Sequence, residues 1–159
     1  MSDLVYLTLN GDQQGLISAG CASMSSIGNK AQLAHVDQIM VYALKHALSR
    51  VQNVNHQELS IVKPIDKSSP LLGKAINDNE TLTCEFSVYR TNRAGMNELY
   101  YKIKLTNAHI LHLETVIPHS VIENGAESQE KVSFSYESIT WEHFSAGTSA
   151  YSLWSERIL

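Results

Sequence analysis

Side chains that change character at every second residue dominate this chain, and that period admits few folds. In TLTCEFSVYR (residues 81–90), Leu82, Cys84, Phe86 and Val88 share one face, while Thr81, Thr83, Glu85, Ser87 and Tyr89 share the other. NRAG (residues 92–95) supplies turn chemistry, and NELYYKIKLTNAHILHLET then sets Leu99, Tyr101, Ile103 and Leu105 against Tyr100, Lys102, Lys104 and Thr106. Alternate side chains of a strand point to opposite sides, so the two runs predict a long antiparallel hairpin with one buried face.

Other segments extend the same reading. VYLTLN (residues 5–10) is a short strand closed by a turn at Asn10-Gly11-Asp12. KVSFSYESITWEHF (residues 131–144) alternates twice but out of phase. Val132, Phe134 and Tyr136 define one face, and Ile139 and Trp141 fall on the opposite parity, which requires a bulge, a bend or a strand with two apolar partners. IENGAESQE (residues 122–130) is polar, carries Asn124-Gly125 and reads as a loop; AYSLWSERIL at the end reads as one more short strand.

One segment resists. In VDQIMVYALKHAL (residues 36–48), Val36, Ile39, Met40, Ala43, Leu44, Ala47 and Leu48 follow helical spacing, and periodicity alone favours a helix. As a strand the segment would need apolar cover on both faces.

The stretch KPIDKSSPLLGKAI (residues 63–76) joins the strand-like QELSIVKPI to a helix of about two turns. Ser69 is suited to cap that helix, because its hydroxyl can accept from an unpaired first-turn amide, and Pro70 suits the first helical position. Leu71, Leu72, Ala75 and Ile76 give an apolar stripe that must pack on the sheet, and Asn77-Asp78-Asn79 ends the helix at about Pro70–Asn77. The structural role accounts for these residues without a serine nucleophile. The expected architecture is mainly β, a barrel or sandwich of antiparallel sheets with one short flanking helix.

Composition narrows the function. Of 159 residues, 43% are hydrophobic and 18% charged, a balance that suits a folded globular chain. The net charge of −4 comes with no basic stripe, which argues against nucleic acid as a partner. No apolar run reaches the ~20 residues of a membrane helix, and MSDLVYLTLNGD lacks the pattern of a secretory signal. Cys21 and Cys84 form neither a disulfide framework nor a zinc site; alternation places Cys84 on the buried face.

The motifs carry a resemblance. VKPIDKSSPLLGKAI resembles the K-x-I-D-K-S-[ST]-P signature of the haemolysin-coregulated proteins, the Hcp family of type VI secretion tube proteins, through Lys63, Ile65, Asp66, Lys67, Ser68, Ser69 and Pro70. VYLTLNGD resembles the family's first strand, GMNELYYKIKLTNAHI its EYYxxxLxNxxV segment, VSFSYESITWEH its ISLRYEKITWTY run, and SLWSER its C-terminal SWNER. The matches keep their order over nearly the whole chain.

The resemblance implies a β-barrel of two sheets with a short flanking helix, a fold shared with phage tail tube proteins. It implies a homo-hexamer whose rings stack head to tail into a tube inside a contractile sheath on a baseplate. That tube carries a spike protein at its tip and small effectors in its lumen. It further implies a protein of Gram-negative bacteria that starts in the cytoplasm and leaves without a cleaved signal peptide. The expectation is one tube domain over 1–159, without the C-terminal toxin domain of some relatives. The resemblance assigns QIMVYALKHAL to a strand, against its spacing, and places Lys45 on the strand that faces the lumen. HALSRVQNVNHQ corresponds to a loop that is extended in relatives and contacts a neighbouring subunit or ring.

Chemistry-bearing residues give no competing site. His109 and His112, three apart, fall on opposite faces of a strand; His112 and Glu114 share a face but lack a third ligand; His46, His56, His119 and His143 have no ligand spacing. GTSAY (residues 147–151) lacks the second glycine and the strand–turn–helix setting of a nucleophile elbow. Glu137 and Glu142 have opposite parity and should not converge, and Asn79-Glu80-Thr81 matches a glycosylation sequon by composition only. The expectation is a structural protein with no catalytic residue, metal or cofactor. The alternatives are a monomeric barrel that binds a small ligand, betrayed by a hollow interior and no ring, and a hydrolase built on Ser69 or a histidine.

Overall fold

The computed structural model describes residues 3–154. The strands are β1 (Leu4–Gly11), β2 (Gly15–Leu16), β3 (Ile39–Val41), β4 (Ala43–Lys45), β5 (Leu48–Arg50), β6 (Val54–His56), β7 (Leu59–Lys63), β8 (Leu82–Thr91), β9 (Asn97–Val116), β10 (Gln129–Ser135), β11 (Ser138–His143) and β12 (Thr148–Leu153). Two α-helices accompany them, α1 (Met24–Ile27) and α2 (Ser69–Asn77). All pairing is antiparallel. One sheet runs β2-β1-β8-β9-β11-β12 with β3 also on β1, the other runs β9-β10-β7-β4, and β5 and β6 form a separate hairpin.

β9 belongs to both sheets, and a change of phase lets it do so. Ile103 and Leu105 point into the core, and beyond Asn107 the buried positions become Ala108 and Ile110. Asn107 has φ +50°, a left-handed conformation that asparagine tolerates, and Thr106 and Asn107 together face the single residue Thr83 of β8. The expected hairpin is therefore β8–β9, closed where the Asn92 side chain accepts from the amides of Ala94 and Met96 and Gly95 takes φ +80°. The predicted phase slip is a bend: β10 ends at Ser135, and β11 begins at Ser138 on the other sheet, so Phe134 and Ile139 both reach the core. Phe86 and Phe134 meet edge to face there at 6.3 Å.

Segment 36–48 is not helical. β3 pairs with β1, β4 pairs with β7, and the Tyr42 amide donates to the Val62 carbonyl between them. Ile39 and Val41 are buried, while Ala43 and Lys45 are exposed. The chain changes sheets at Tyr42, and this change of partner scatters the apolar residues into a false helical spacing. One continuous segment thus bridges the two sheets, although among the described residues no unbroken ladder runs around the molecule.

Three further departures are local. Asn10 and Gly11 pair within the β1–β2 hairpin, so its turn lies at Asp12–Gln14 rather than Asn10–Asp12. The 122–130 loop stops short of Gln129, which opens β10. Residues 17–35, unassigned from sequence, carry α1 and two single-turn helices; Ile17, Cys21 and Ala22 are buried, and His35 stacks on Tyr6 at 3.9 Å. α2 lies where expected, with Leu72 and Ala75 buried. Of the C-terminal motif SLWSER, Ser155, Glu156 and Arg157 lie outside the described residues.

Candidate functional site

The motif of residues 63–70 is organised around a lysine with no solvent exposure. Lys63 ends β7, and its ammonium donates to Glu130 Oε1 at 2.6 Å and to the Pro64 carbonyl at 3.0 Å, and lies 3.0 Å from Asp66 Oδ1. Asp66 and Glu130 are buried too. Glu130 is the cross-strand partner of Lys63 on β10, so the β7–β10 register brings the pair together. Asp66 Oδ1 also accepts from the amide and hydroxyl of Ser68. A buried ammonium is tolerable only with a counter-charge and its protons bonded; here two carboxylates face the one ammonium, and Asp66 Oδ2 is left buried without a hydrogen-bond partner.

Ser69 serves this cluster and does not cap the helix. Its hydroxyl donates to Glu130 Oε1 at 2.6 Å and accepts from the Asp66 amide at 3.0 Å. Helix α2 begins at Ser69 itself, with Ser68 as its flanking residue, no side-chain cap bond and Pro70 one position later than expected. The carboxylate wins the hydroxyl because a charge-assisted bond in a buried site is stronger than a neutral cap. Pro70 remains in the first turn, where a missing N–H costs nothing. Ile65, Lys67 and Pro70 point outward; the Lys67 amide donates to Ser26 Oγ at 2.8 Å, pinning α1 to the motif. Burial, then the nearby Asp66 carboxylate, push the Cys21 thiol up to about 11, so it stands beside the cluster as a neutral thiol. Sequence reasoning singled out the motif but missed Glu130, which lies 67 residues away.

Lys45 is exposed on β4, on the side of the second sheet that faces away from the core. The register builds two rows across that face: Lys45, Ser60, Ser133 and His112, and beside it Ala43, Val62, Lys131 and Glu114. These residues line one groove. Ser60 and Ser133 hydroxyls are 3.0 Å apart in its floor, and His112 lies 3.8 Å from Glu114.

Two histidines dismissed on spacing do converge, though not on a metal. His46 Nε2 and His56 Nδ1 lie 2.7 and 2.9 Å from the Tyr136 hydroxyl, which donates to the Gln57 carbonyl at 3.2 Å. His56 Nε2 is 2.9 Å from Ser152 Oγ on β12. This network anchors the β5–β6 hairpin, the extended form of HALSRVQNVNHQ, to the end of both sheets. Among the described residues no group of three His, Cys, Asp or Glu side chains is placed to hold a metal ion. GTSAY forms the turn and first residues of the β11–β12 hairpin, with Gly147 at φ +71°.

The geometry matches a known class. A solved structure described as Hcp protein superposes with a TM-score of 0.91 at 31% identity, covering 98% of this chain and 99% of its own. The secreted protein Hcp3 from Pseudomonas aeruginosa gives 0.88 at 35%, covering 98% and 100%. Residues 6–143 match the family model described as "Type VI secretion system effector, Hcp", and the chain belongs to that family.

Among sequence relatives, the major exported protein of P. aeruginosa PAO1 is 34% identical, over 97% of this chain and 96% of its own length. The Escherichia coli K12 protein YhhZ is 41% identical over 93% of this chain, which spans only 37% of that relative. No described helix is long and apolar enough to cross a membrane.

Proposed function

We propose that this chain is a structural subunit of a type VI secretion inner tube, and that it acts by assembly rather than catalysis. Six copies form a ring, and rings stack head to tail inside a contractile sheath on a baseplate. A spike protein occupies the tip, and small effectors ride in the lumen. The chain acts as one tube domain over 1–159 and leaves the cytoplasm by contraction. The outward face of the second sheet, with Lys45, lines the lumen.

The observation that carries this reading, beside family membership, is an open edge. Among the described residues β12 pairs only with β11, and Tyr151 on it is 72% exposed. An exposed edge strand invites pairing unless a neighbour covers it, and a closed ring of identical subunits covers each edge with the next copy. The alternative of a ligand-binding barrel draws no support, because Leu9, Phe86, Leu105 and Phe134 fill the space between the sheets. Native mass spectrometry of the purified protein is expected to give six times the 17.7 kDa chain, and negative-stain images to show six-fold rings. A chain that stays monomeric at tens of micromolar overturns the reading.

A further inference from the structure

We infer that the groove on the outward face of the second sheet binds extended acidic segments, with carboxylates four residues apart and an apolar residue between them. The inference rests on the tube reading, in which this face is the lumen wall, and it specifies which cargo that wall holds.

The chain is acidic overall, at −4, yet both lysines of this groove lack an ion-pair partner among the described residues. Lys131 stands across from Glu114 in the ladder, but no carboxylate oxygen lies within 4.0 Å of its ammonium; Glu114 Oε2 is 3.8 Å from His112 Nε2, two residues along its own strand. Of the six other lysines, Lys30, Lys63, Lys74 and Lys104 each have a carboxylate within 4.0 Å, while Lys67 and Lys102 do not. Lys45 and Lys131 are therefore available to a carboxylate from outside the chain.

Register then sets the spacing. Lys45 and Lys131 lie on β4 and β10, with β7 between them, and are offset by one row. Two strand spacings across and two residues along give a diagonal of ~12 Å. The path crosses β7 between Ser60 and Val62, with Ala43 alongside. In an extended peptide, residues i and i+4 are ~13 Å apart and point the same way as i+2. An acidic residue at each end of such a stretch meets a lysine, and the central side chain falls over β7 between Ser60 and Val62, where Val62 offers it an apolar contact. A helical segment, with ~6 Å between i and i+4, spans half that distance.

The test uses acetyl-DAVAE-amide and its neutral counterpart of the same shape, acetyl-NAVAQ-amide, titrated at low ionic strength and followed by amide shifts of residues 43–45 and 131–133. The acidic peptide is expected to bind about tenfold more tightly. The preference should vanish in Lys45→Gln/Lys131→Gln and persist in Lys74→Gln, on helix α2. Equal binding of the two peptides, or a preference that survives the double substitution, overturns the inference. Native mass spectrometry of each sample reads the ring separately. Rings without acidic selectivity defeat this inference alone, and selectivity without rings defeats the tube reading alone.

Discussion

Lys63 shows what one residue can demand of its surroundings. Its ammonium is fully buried, so the two carboxylates and two serines of the motif region exist to make that burial tolerable. Such a cluster need not stabilise the fold more than an apolar equivalent, but its parts cannot stand alone. Lys63→Ala leaves Asp66 and Glu130 buried without a counter-charge and is expected to cost about 3–5 kcal/mol in urea unfolding. Glu80 is a second such residue. Burial alone would raise its carboxyl, yet the Gln14 amide, the Gln14 side chain and the Gln13 amide that donate to it hold it below its ordinary 4.5. A depressed folded value means that the stabilisation is present above pH 4.5 and is lost as pH falls through the folded value. Glu80→Gln should therefore flatten the acid limb of a stability–pH curve. Gly11 makes room for this carboxylate, since a Cβ there would sit 1.9 Å from Glu80 Oε2. Gly11→Ala is expected to cost about 1–3 kcal/mol alone and much less in a Glu80→Ala background, as a double-mutant cycle in urea would read.

At the scale of elements, the β5–β6 hairpin is the least self-sufficient piece. Leu48, Ser49 and Arg50 are all exposed, and a two-stranded hairpin is marginal by itself. Tyr136 holds its base by meeting His46, His56 and the Gln57 carbonyl with one hydroxyl. Tyr136→Phe should cost about 1–3 kcal/mol and speed hydrogen exchange across 48–56 more than in β8 or β9. Burial, then the charge of His56, hold His46 below its ordinary 6.5, so the fold favours neutral imidazole. The unfolded chain then binds more protons just below pH 6.5, and the contribution of this anchor is lost as pH falls from there. Protection at 48–56, the exchange rate relative to its intrinsic value at each pH, should accordingly fall below pH 6.5 in wild type. What was legible in the sequence divides along the same line. The β8–β9 hairpin and α2 could be read because turn, period and breaker residues lie within one short stretch. Segment 36–48 misled because its spacing records two different partner sheets, a tertiary fact. Ser69 was placed within one position of the helix start, but its bond goes to Glu130, 61 residues away, where no local rule reaches. The Tyr136 network likewise joins residues 80 to 96 apart.

For the whole molecule, the question is what a chain with open edges and a projecting hairpin needs from its copies. Val51 at the hairpin tip has no cover at all within the chain, at 102% exposure. A charge there should leave the isolated fold within about 0.5 kcal/mol of wild type, since it touches nothing. In a ring or stack that buries the tip against a neighbour, the same charge would be desolvated at every subunit, at a cost of a few kcal/mol each. The isolated fold is therefore nearly indifferent to a substitution that penalises the ring, which separates assembly from folding. Val51→Asp is expected to keep the thermal midpoint of the monomer and to lower the six-fold fraction in native mass spectra at concentrations where wild type is fully assembled. Persistence of the rings would mean that the tip stays in solvent after assembly, and the contacts between copies would then fall to the β12 edge alone. A matching Tyr151→Lys substitution on that edge tests this directly: with both tip and edge engaged, each substitution alone lowers the six-fold fraction and the pair abolishes it.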